Sequence, residues 1–117
     1  MGRLAGIALV CIVAVIAIAQ SQHQQSASDI DREHTEWIAV TLRTMQTIKV
    51  DMTRSDLMKV FTTEGGLSTI SQRTYVYRQC PYIKVDVKFA ASSRDEELPT
   101  DRIIEVSRPY LEWSVTD

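Results

Sequence analysis

The stretch "YIKVDVKFA", residues 82–90, alternates strictly between apolar and charged side chains. Its apolar members are Ile83, Val85, Val87 and Phe89, and its charged members are Lys84, Asp86 and Lys88. Successive side chains of a β-strand point to opposite faces of the sheet. The alternation therefore predicts an antiparallel strand with one buried face and one face in water. A shift of one residue would bring the three charges into the core, so the pattern also fixes the register.

Further strands are predicted on both sides of this one. "TYVYRQC", residues 74–80, is rich in residues that favour strands. "RIIEVSRPYLEW", residues 102–113, follows a polar loop and supplies a third strand, with Ile104 and Val106 facing the core. Together the three segments predict a three-stranded antiparallel meander, which needs a cover on its apolar face.

Two predicted helices can supply that cover. Apolar residues recur at helical steps in one segment: Ile38, Leu42, Met45 and Ile48. This spacing predicts a helix near residues 31–47. A short second helix is predicted in "DMTRSDLMKVFTTEGG", residues 51–66, where Thr53 caps the start, Asp56 completes a capping box, and Gly65-Gly66 end the helix. The predicted fold class is α+β, with two N-terminal helices packed on the three-stranded antiparallel meander (ααβββ).

The N-terminus points to export. One arginine, Arg3, precedes residues 4–19, which carry no charge. This stretch is shorter than the roughly 20 apolar residues that span a bilayer, and Ala17-Ile18-Ala19 offers small residues where a signal peptidase cleaves. We expect residues 1–19 to be a signal peptide or, as the alternative, an uncleaved N-terminal membrane anchor. Lipidation at Cys11 is a third and weaker alternative.

With residues 1–19 assigned to export, we also infer the remaining domain boundaries and the location of the protein. Residues 20–30 are rich in Gln and Ser and predict a flexible polar linker. Residues 31–117 predict a single domain. The expected location is the periplasm, or a membrane anchor that holds the domain on the periplasmic side. The membrane is expected to be contacted only through an uncleaved N-terminal segment.

Charge and composition limit the partners that the chain can bind. It has 13 Lys and Arg and 15 Asp and Glu, a net charge of −2, and no basic block. Nucleic acid is therefore not an expected partner. Removal of the signal leaves one cysteine, Cys80, so no internal disulfide is expected. Cys80 either packs as a small apolar residue or exposes a thiol that pairs between chains.

No catalytic constellation is visible in the sequence. The two histidines, His23 and His34, are at unrelated positions, and Cys80 cannot complete a zinc site with them. A thiol–imidazole pair of Cys80 and His34 would need the fold to bring them together. We expect no catalytic residue, no metal and no cofactor.

The segment "VDMTRSDLMKVF", residues 50–61, carries a family resemblance. It resembles the SmpA/OmlA family of small bacterial envelope lipoproteins, which belong to the outer-membrane protein assembly machinery and share a fold unit with β-lactamase-inhibitor-type proteins. The match falls on Met52, Thr53 and Leu57, whereas the usual glycine before the methionine is Asp51 here. The resemblance spans about residues 37–110 and implies the α+β fold described above.

Export, a small α+β unit and the missing catalytic set together predict a non-catalytic cell-envelope protein that acts by protein–protein interaction with another envelope protein. The alternative that the resemblance implies is a periplasmic or secreted enzyme inhibitor of the β-lactamase-inhibitor type. Arg, Tyr and Trp are the residue types that most often anchor protein interfaces. On this basis the candidate partner-binding residues are Tyr75, Tyr77, Arg108, Tyr110 and Trp113.

Overall fold

The computed structural model describes the backbone of residues 2–114 and the side chains of residue 22 and residues 24–114. The expected signal peptide or anchor, residues 1–19, lies outside the described side chains. Among the residues that are described, no helix has an apolar stretch of bilayer-spanning length. The chain divides into two compact units, one up to Val40 and one from Thr41 onward.

One long helix, α1, covers Gly2–Met45. It contains most of the helix predicted near residues 31–47. It also continues through residues 20–30, for which the composition predicts a flexible linker. That segment holds no proline or glycine, and Gln, Ser and Ala tolerate helical backbone, so nothing in it interrupts the helix. The compact second unit begins ten residues later than the predicted domain start at residue 31.

Only the C-terminal part of the predicted apolar face of α1 joins the core. Thr41 and Met45, in the last turns of α1, are buried, and so is Ile48 just beyond the helix. Ile38 and Leu42, on the same predicted face, are 52% and 43% exposed.

The second helix, α2, covers Arg54–Val60. Thr53 is its N-cap and forms the predicted capping box with Asp56, in which each side chain bonds the backbone N–H of the other residue. The predicted end at Gly65-Gly66 is wrong. The helix ends at Val60 because Phe61 is extended and begins a strand. Gly66, with φ 109°, lies in the loop that follows this strand.

The described residues form one sheet of five antiparallel strands: β1 Phe61–Thr63, β2 Gln72–Tyr77, β3 Cys80–Ala90, β4 Arg102–Val106 and β5 Tyr110–Leu111. Their order is β1-β2-β3-β4, and β5 also pairs with β3. The predicted meander corresponds to β2, β3 and β4 and is confirmed as an antiparallel sheet. The count of three strands is wrong, because β1 and β5 extend the sheet. Strands of two or three residues are too short to show an alternating pattern.

A β-bulge between β3 and β4 decides which isoleucine of β4 is buried. Lys88 pairs with Glu105 and Phe89 with Ile103, so Ile104 has no partner of its own. Ile103 is consequently buried and Ile104 exposed, which corrects the prediction that Ile104 faces the core. Val106, opposite Val87, packs against the core as predicted.

Strand β3 follows its predicted pattern on the core face. Val85, Val87 and Phe89 are buried, as the alternation predicts. Lys84 is an exception on the other face: the prediction that it lies in water is wrong, because it has no exposed surface. The second face of the sheet is covered at this point by polar groups from outside β3, which are described below.

The core lies between α2, the end of α1 and one face of the sheet. Its buried members are Met45, Ile48, Leu57, Phe61, Tyr75, Tyr77, Val85, Val87, Phe89 and Ile103. Two aromatic pairs stack edge-to-face within it, Phe61 with Tyr77 and Tyr75 with Phe89. Edge-to-face pairs of this kind add to the stability gained from burial alone.

Candidate partner-binding site

Two of the five candidate partner-binding residues belong to the core. Tyr75 is fully buried and Tyr77 nearly so. The Tyr75 hydroxyl accepts a 2.7 Å hydrogen bond from Nη1 of Arg54, so its polar end is satisfied internally. Burial raises the pKa of Tyr75, although the guanidinium of Arg54 opposes the shift. The prediction that Tyr75 and Tyr77 contact a partner is therefore wrong.

The other three candidates lie close in sequence but in different surroundings. Trp113 is 82% exposed. Tyr110 is half-buried, and its hydroxyl donates a 3.1 Å hydrogen bond to Oδ1 of Asp86. Arg108 is exposed and borders a different cavity, of about 270 Å³, whose lining includes the core residues Met45 and Phe61. The structure therefore does not bring Arg108 and Trp113 into one site.

Trp113 instead forms an exposed apolar surface with residues that the sequence did not single out. Its ring lies edge-to-face against Tyr82, with 5.7 Å between the ring centroids and 87° between the planes. Leu111, which is 79% exposed, lies beside this pair. These three side chains and Glu112 line an open cavity of about 510 Å³. We call the four residues, Tyr82, Leu111, Glu112 and Trp113, the C-terminal patch.

Backbone pairing between β3 and β5 holds the C-terminal patch in place. Ile83 pairs with Leu111, and Lys84 pairs with Tyr110. The backbone N–H of Glu112 donates a 3.0 Å hydrogen bond to the carbonyl oxygen of Tyr82. Because Tyr82 and the chain near Trp113 belong to paired strands, their rings are presented by a fixed backbone.

Lys84 lies beneath the C-terminal patch and anchors it. Its Nζ forms an ion pair with Glu64 and a 3.3 Å ion pair with Oε2 of Glu112. It also donates a 2.7 Å hydrogen bond to the carbonyl oxygen of Trp113. Burial disfavours the charged ammonium, but the bonds to Glu64 and Glu112 outweigh it and raise the pKa of Lys84. The lysine therefore stays charged and holds the C-terminal segment against β3.

A second charged cluster surrounds Arg54 in the first turn of α2. Its guanidinium donates to the carbonyl oxygens of Leu98 and Ile70 and to Oδ2 of Asp101, at 3.3, 2.9 and 3.2 Å. The same group lies 3.7 Å from the ring centroid of Phe89. These contacts join α2 to two loops that are distant in sequence.

Asp101, which is fully buried, completes this cluster. It accepts 3.0 Å hydrogen bonds from the backbone N–H groups of Ser92 and Leu98, in addition to the bond from Arg54. The bond from Ser92 contributes most to lowering the pKa of Asp101; burial opposes the shift, and Leu98 and Arg54 add to it. Because both carboxylate oxygens of Asp101 accept hydrogen bonds, this residue holds α2 and the loop between β3 and β4 together and stabilises the fold.

The remaining candidates for chemistry are Cys80 and His34. Cys80 is half-buried and packs against the core, as one of the two interpretations of the sequence predicts. His34 is exposed on α1, in the first of the two units. In the described part of the chain, no group of three or more His, Cys, Asp or Glu side chains could hold a metal ion.

Sequence reasoning missed Tyr82, Leu111 and Glu112 for identifiable reasons. Leu111 and Glu112 lie between the candidates Tyr110 and Trp113, but single aliphatic or acidic residues carry no interface signal of their own. Tyr82 stands at the start of the alternating strand, where its exposure depends on the pairing of β3 with β5. That pairing joins residues about 28 positions apart, as between Ile83 and Leu111.

Comparison with known proteins found no relative of this chain. No protein-family model matches the sequence, no curated protein matches it, and no solved structure matches its fold.

Proposed function

We propose that this protein is a non-catalytic, exported cell-envelope protein that acts by binding another envelope protein through the C-terminal patch. The observation that carries the proposal is the exposure of Tyr82, Leu111 and Trp113 together around one cavity. Exposed apolar groups that cluster, rather than scatter singly, are typical of interaction sites. Aromatic anchors such as Trp and Tyr supply much of the binding free energy in protein interfaces.

The rigidity of the backbone beneath the patch supports the same proposal. A preorganised surface loses little conformational freedom when it binds. Lys84 fixes the chain at Trp113, and the strand pairing fixes Tyr82 and Leu111. A loose terminal tail with the same residues would have to be ordered at a cost before it could bind.

Site-specific photo-crosslinking in the native cell tests the proposal. A photoreactive residue at Leu111 of the full chain should form an adduct with one defined envelope protein, which mass spectrometry identifies. Leu67 is the matched control. It is an aliphatic residue like Leu111 and is fully exposed, but it does not line the patch. Equal capture at Leu67 and Leu111 would count against the patch as the binding surface.

The purified partner then allows a quantitative test by calorimetry. Trp113→Ala should weaken binding by about 30-fold or more, the loss expected for an interface anchor worth about 2 kcal/mol. Leu67→Ala should leave the affinity unchanged. N-terminal sequencing of the mature protein tests the export part of the proposal separately, because it shows whether residues 1–19 are removed.

A further inference from the structure

The walls of the C-terminal patch have the chemistry of a site for a cation. The rings of Tyr82 and Trp113 stand nearly perpendicular to each other and form two sides of the cavity. Aromatic faces attract an ammonium or guanidinium group through the electrostatic field of the ring, and Trp is the strongest of them. Glu112 adds a carboxylate to the lining, and none of the described residues that line the cavity carries a cationic side chain.

The local balance of charge favours the same kind of ligand. Glu112 shares the single positive charge of Lys84 with Glu64, so Lys84 neutralises Glu112 only in part. The bond from Lys84 to Glu112 uses Oε2. Oε1 of Glu112 has no hydrogen-bond partner among the described residues, and the side chain is 60% exposed. A cation in the cavity would therefore meet an available carboxylate oxygen.

The edge of the sheet suits a peptide as the carrier of that cation. Because Glu112 hydrogen-bonds to Tyr82, the pair Ile83 and Leu111 is the non-hydrogen-bonded one in this antiparallel ladder. The N–H and C=O of Leu111 consequently point away from β3. No strand of the described chain pairs with this outer side of β5. An extended peptide can add to such an edge through its backbone, which a lipid headgroup cannot do.

We propose that the C-terminal patch binds an arginine or lysine side chain of an extended partner segment, with Tyr82 and Trp113 around the cation and Glu112 as its counter-charge. The inference rests on the proposed function and makes it specific. The partner segment lies along β5 and places one basic side chain in the cavity. The aliphatic part of that side chain packs on Leu111.

Blocked tripeptides test the inference with the full chain. The probes are acetyl-Val-Arg-Val-amide, the same peptide with neutral citrulline, which has nearly the shape of arginine, and the same peptide with apolar norleucine. Binding is followed by the NMR shift of the indole N–H of Trp113, assigned with a Trp37→Phe variant. We expect the arginine peptide to bind about five-fold more tightly than the citrulline peptide, in keeping with an exposed cation–π contact. Trp113→Ala, in which binding is followed by the shift of the backbone N–H of Leu111 instead, should remove most of this difference. Glu112→Gln should reduce it because the counter-charge is lost while the rings remain, and Leu67→Ala should leave it unchanged.

The outcomes separate the inference from the proposed function. Equal binding of the arginine and citrulline peptides would overturn the inference, and crosslinking from Leu111 would still decide the function. Arginine-selective binding without any captured partner would support the cation site and overturn the proposed function. A Trp113 shift with phosphatidylcholine vesicles, but with none of the peptides, would assign the site to a lipid headgroup and overturn the inference.

Discussion

Nζ of Lys84 donates a 2.7 Å hydrogen bond to the backbone carbonyl oxygen of Trp113, which lies 29 positions further along the chain. Lys84 is at the middle of the central strand, and Trp113 is the aromatic anchor of the C-terminal patch. Because the same ammonium group pairs with Glu64 and Glu112, one side chain joins β3, the end of β1 and the C-terminal segment. The patch therefore depends on a residue whose own surface is entirely buried.

Lys84→Met should destabilise the domain and loosen the C-terminal segment. Methionine keeps an unbranched chain but removes the ammonium group that pairs with Glu64 and Glu112 and bonds the Trp113 carbonyl, and the loss of buried polar contacts is costly. We expect a lower melting temperature and faster hydrogen exchange at the amide of Glu112, which bonds to Tyr82. The matched control is Lys88→Met, because Lys88 is 44% exposed and pairs with Glu105 at the surface. If both variants lost the same stability, the anchoring role of Lys84 would be wrong.

Arg54→Met should lower the free energy of unfolding by about 3 kcal/mol. Removing one partner of a buried ion pair takes the counter-charge away from the other, and Asp101 has no exposed surface. Urea denaturation followed by circular dichroism measures the change. Arg94→Met is the control, since Arg94 is exposed in the loop between β3 and β4. If Arg54→Met lowered the free energy of unfolding by less than about 1 kcal/mol, the cluster around Arg54 would contribute little to stability.

The features that the sequence predicted correctly are those that depend on neighbouring residues. The capping box joins Thr53 to Asp56, three positions away, and it was identified from residue types alone. The core face of β3 was identified because Val85 and Val87 alternate with polar residues along one strand. Both patterns are local, so a short window of sequence contains the whole signal.

The features that the sequence missed depend on segments that meet only in the folded chain. Lys84 has the pattern of a water-facing residue, and its burial is created by Glu64 and by the chain at Trp113. A tyrosine is equally suited to a core or to an interface. Tyr75 packs on Phe89 and Tyr77 on Phe61, so both belong to the core. The C-terminal patch could not be located for the same reason, because it forms where β5 pairs with β3.

Thr53→Ala should lower the free energy of unfolding by about 1 kcal/mol, the usual value of an N-cap side chain. The Thr53 hydroxyl accepts a 3.2 Å hydrogen bond from the N–H of Asp56 and donates a 2.9 Å bond to its carboxylate. Ser55→Ala, at the second position of the helix, removes an exposed hydroxyl that makes no side-chain hydrogen bond among the described residues and should cost nothing. Thermal denaturation compares the two variants. Equal melting temperatures would show that the cap is not needed.

Asp56 should make the domain lose stability in acid. Its hydrogen bonds to Lys59 and to Thr53 lower its pKa from 3.8 to about 2. A carboxyl group whose pKa is lower in the folded state stabilises that state above its unfolded pKa, and the contribution is lost as the pH falls. For Asp56 the loss falls between pH values of about 4 and 2. In that window the melting temperature of the Asp56→Asn variant should fall less steeply with decreasing pH than that of the parent chain. An unchanged slope would contradict the assignment of the acid-linked loss of stability to Asp56.

Asp51→Gly should stabilise the domain by about 0.5 kcal/mol. Asp51 has φ 72°, the left-handed conformation, and is the only residue other than glycine with a positive φ among those described. This conformation is strained for most L-residues and free of strain for glycine, although glycine also adds entropy to the unfolded chain. The backbone bonds of Asp51 to Ile103 and Arg102 do not use its side chain and should persist.

The control for this substitution is Asp95→Gly, in an exposed loop where φ is not positive. There glycine relieves no strain, so only its entropic cost to folding remains, and stability should fall by up to about 1 kcal/mol. Asp51→Val, with a β-branched side chain, should cost about 1–2 kcal/mol because valine is poorly tolerated at positive φ. Urea denaturation should therefore rank the variants as Asp51→Gly above the parent chain and both other variants below it. If Asp51→Gly were as destabilising as Asp95→Gly, the left-handed conformation at residue 51 would not be a source of strain.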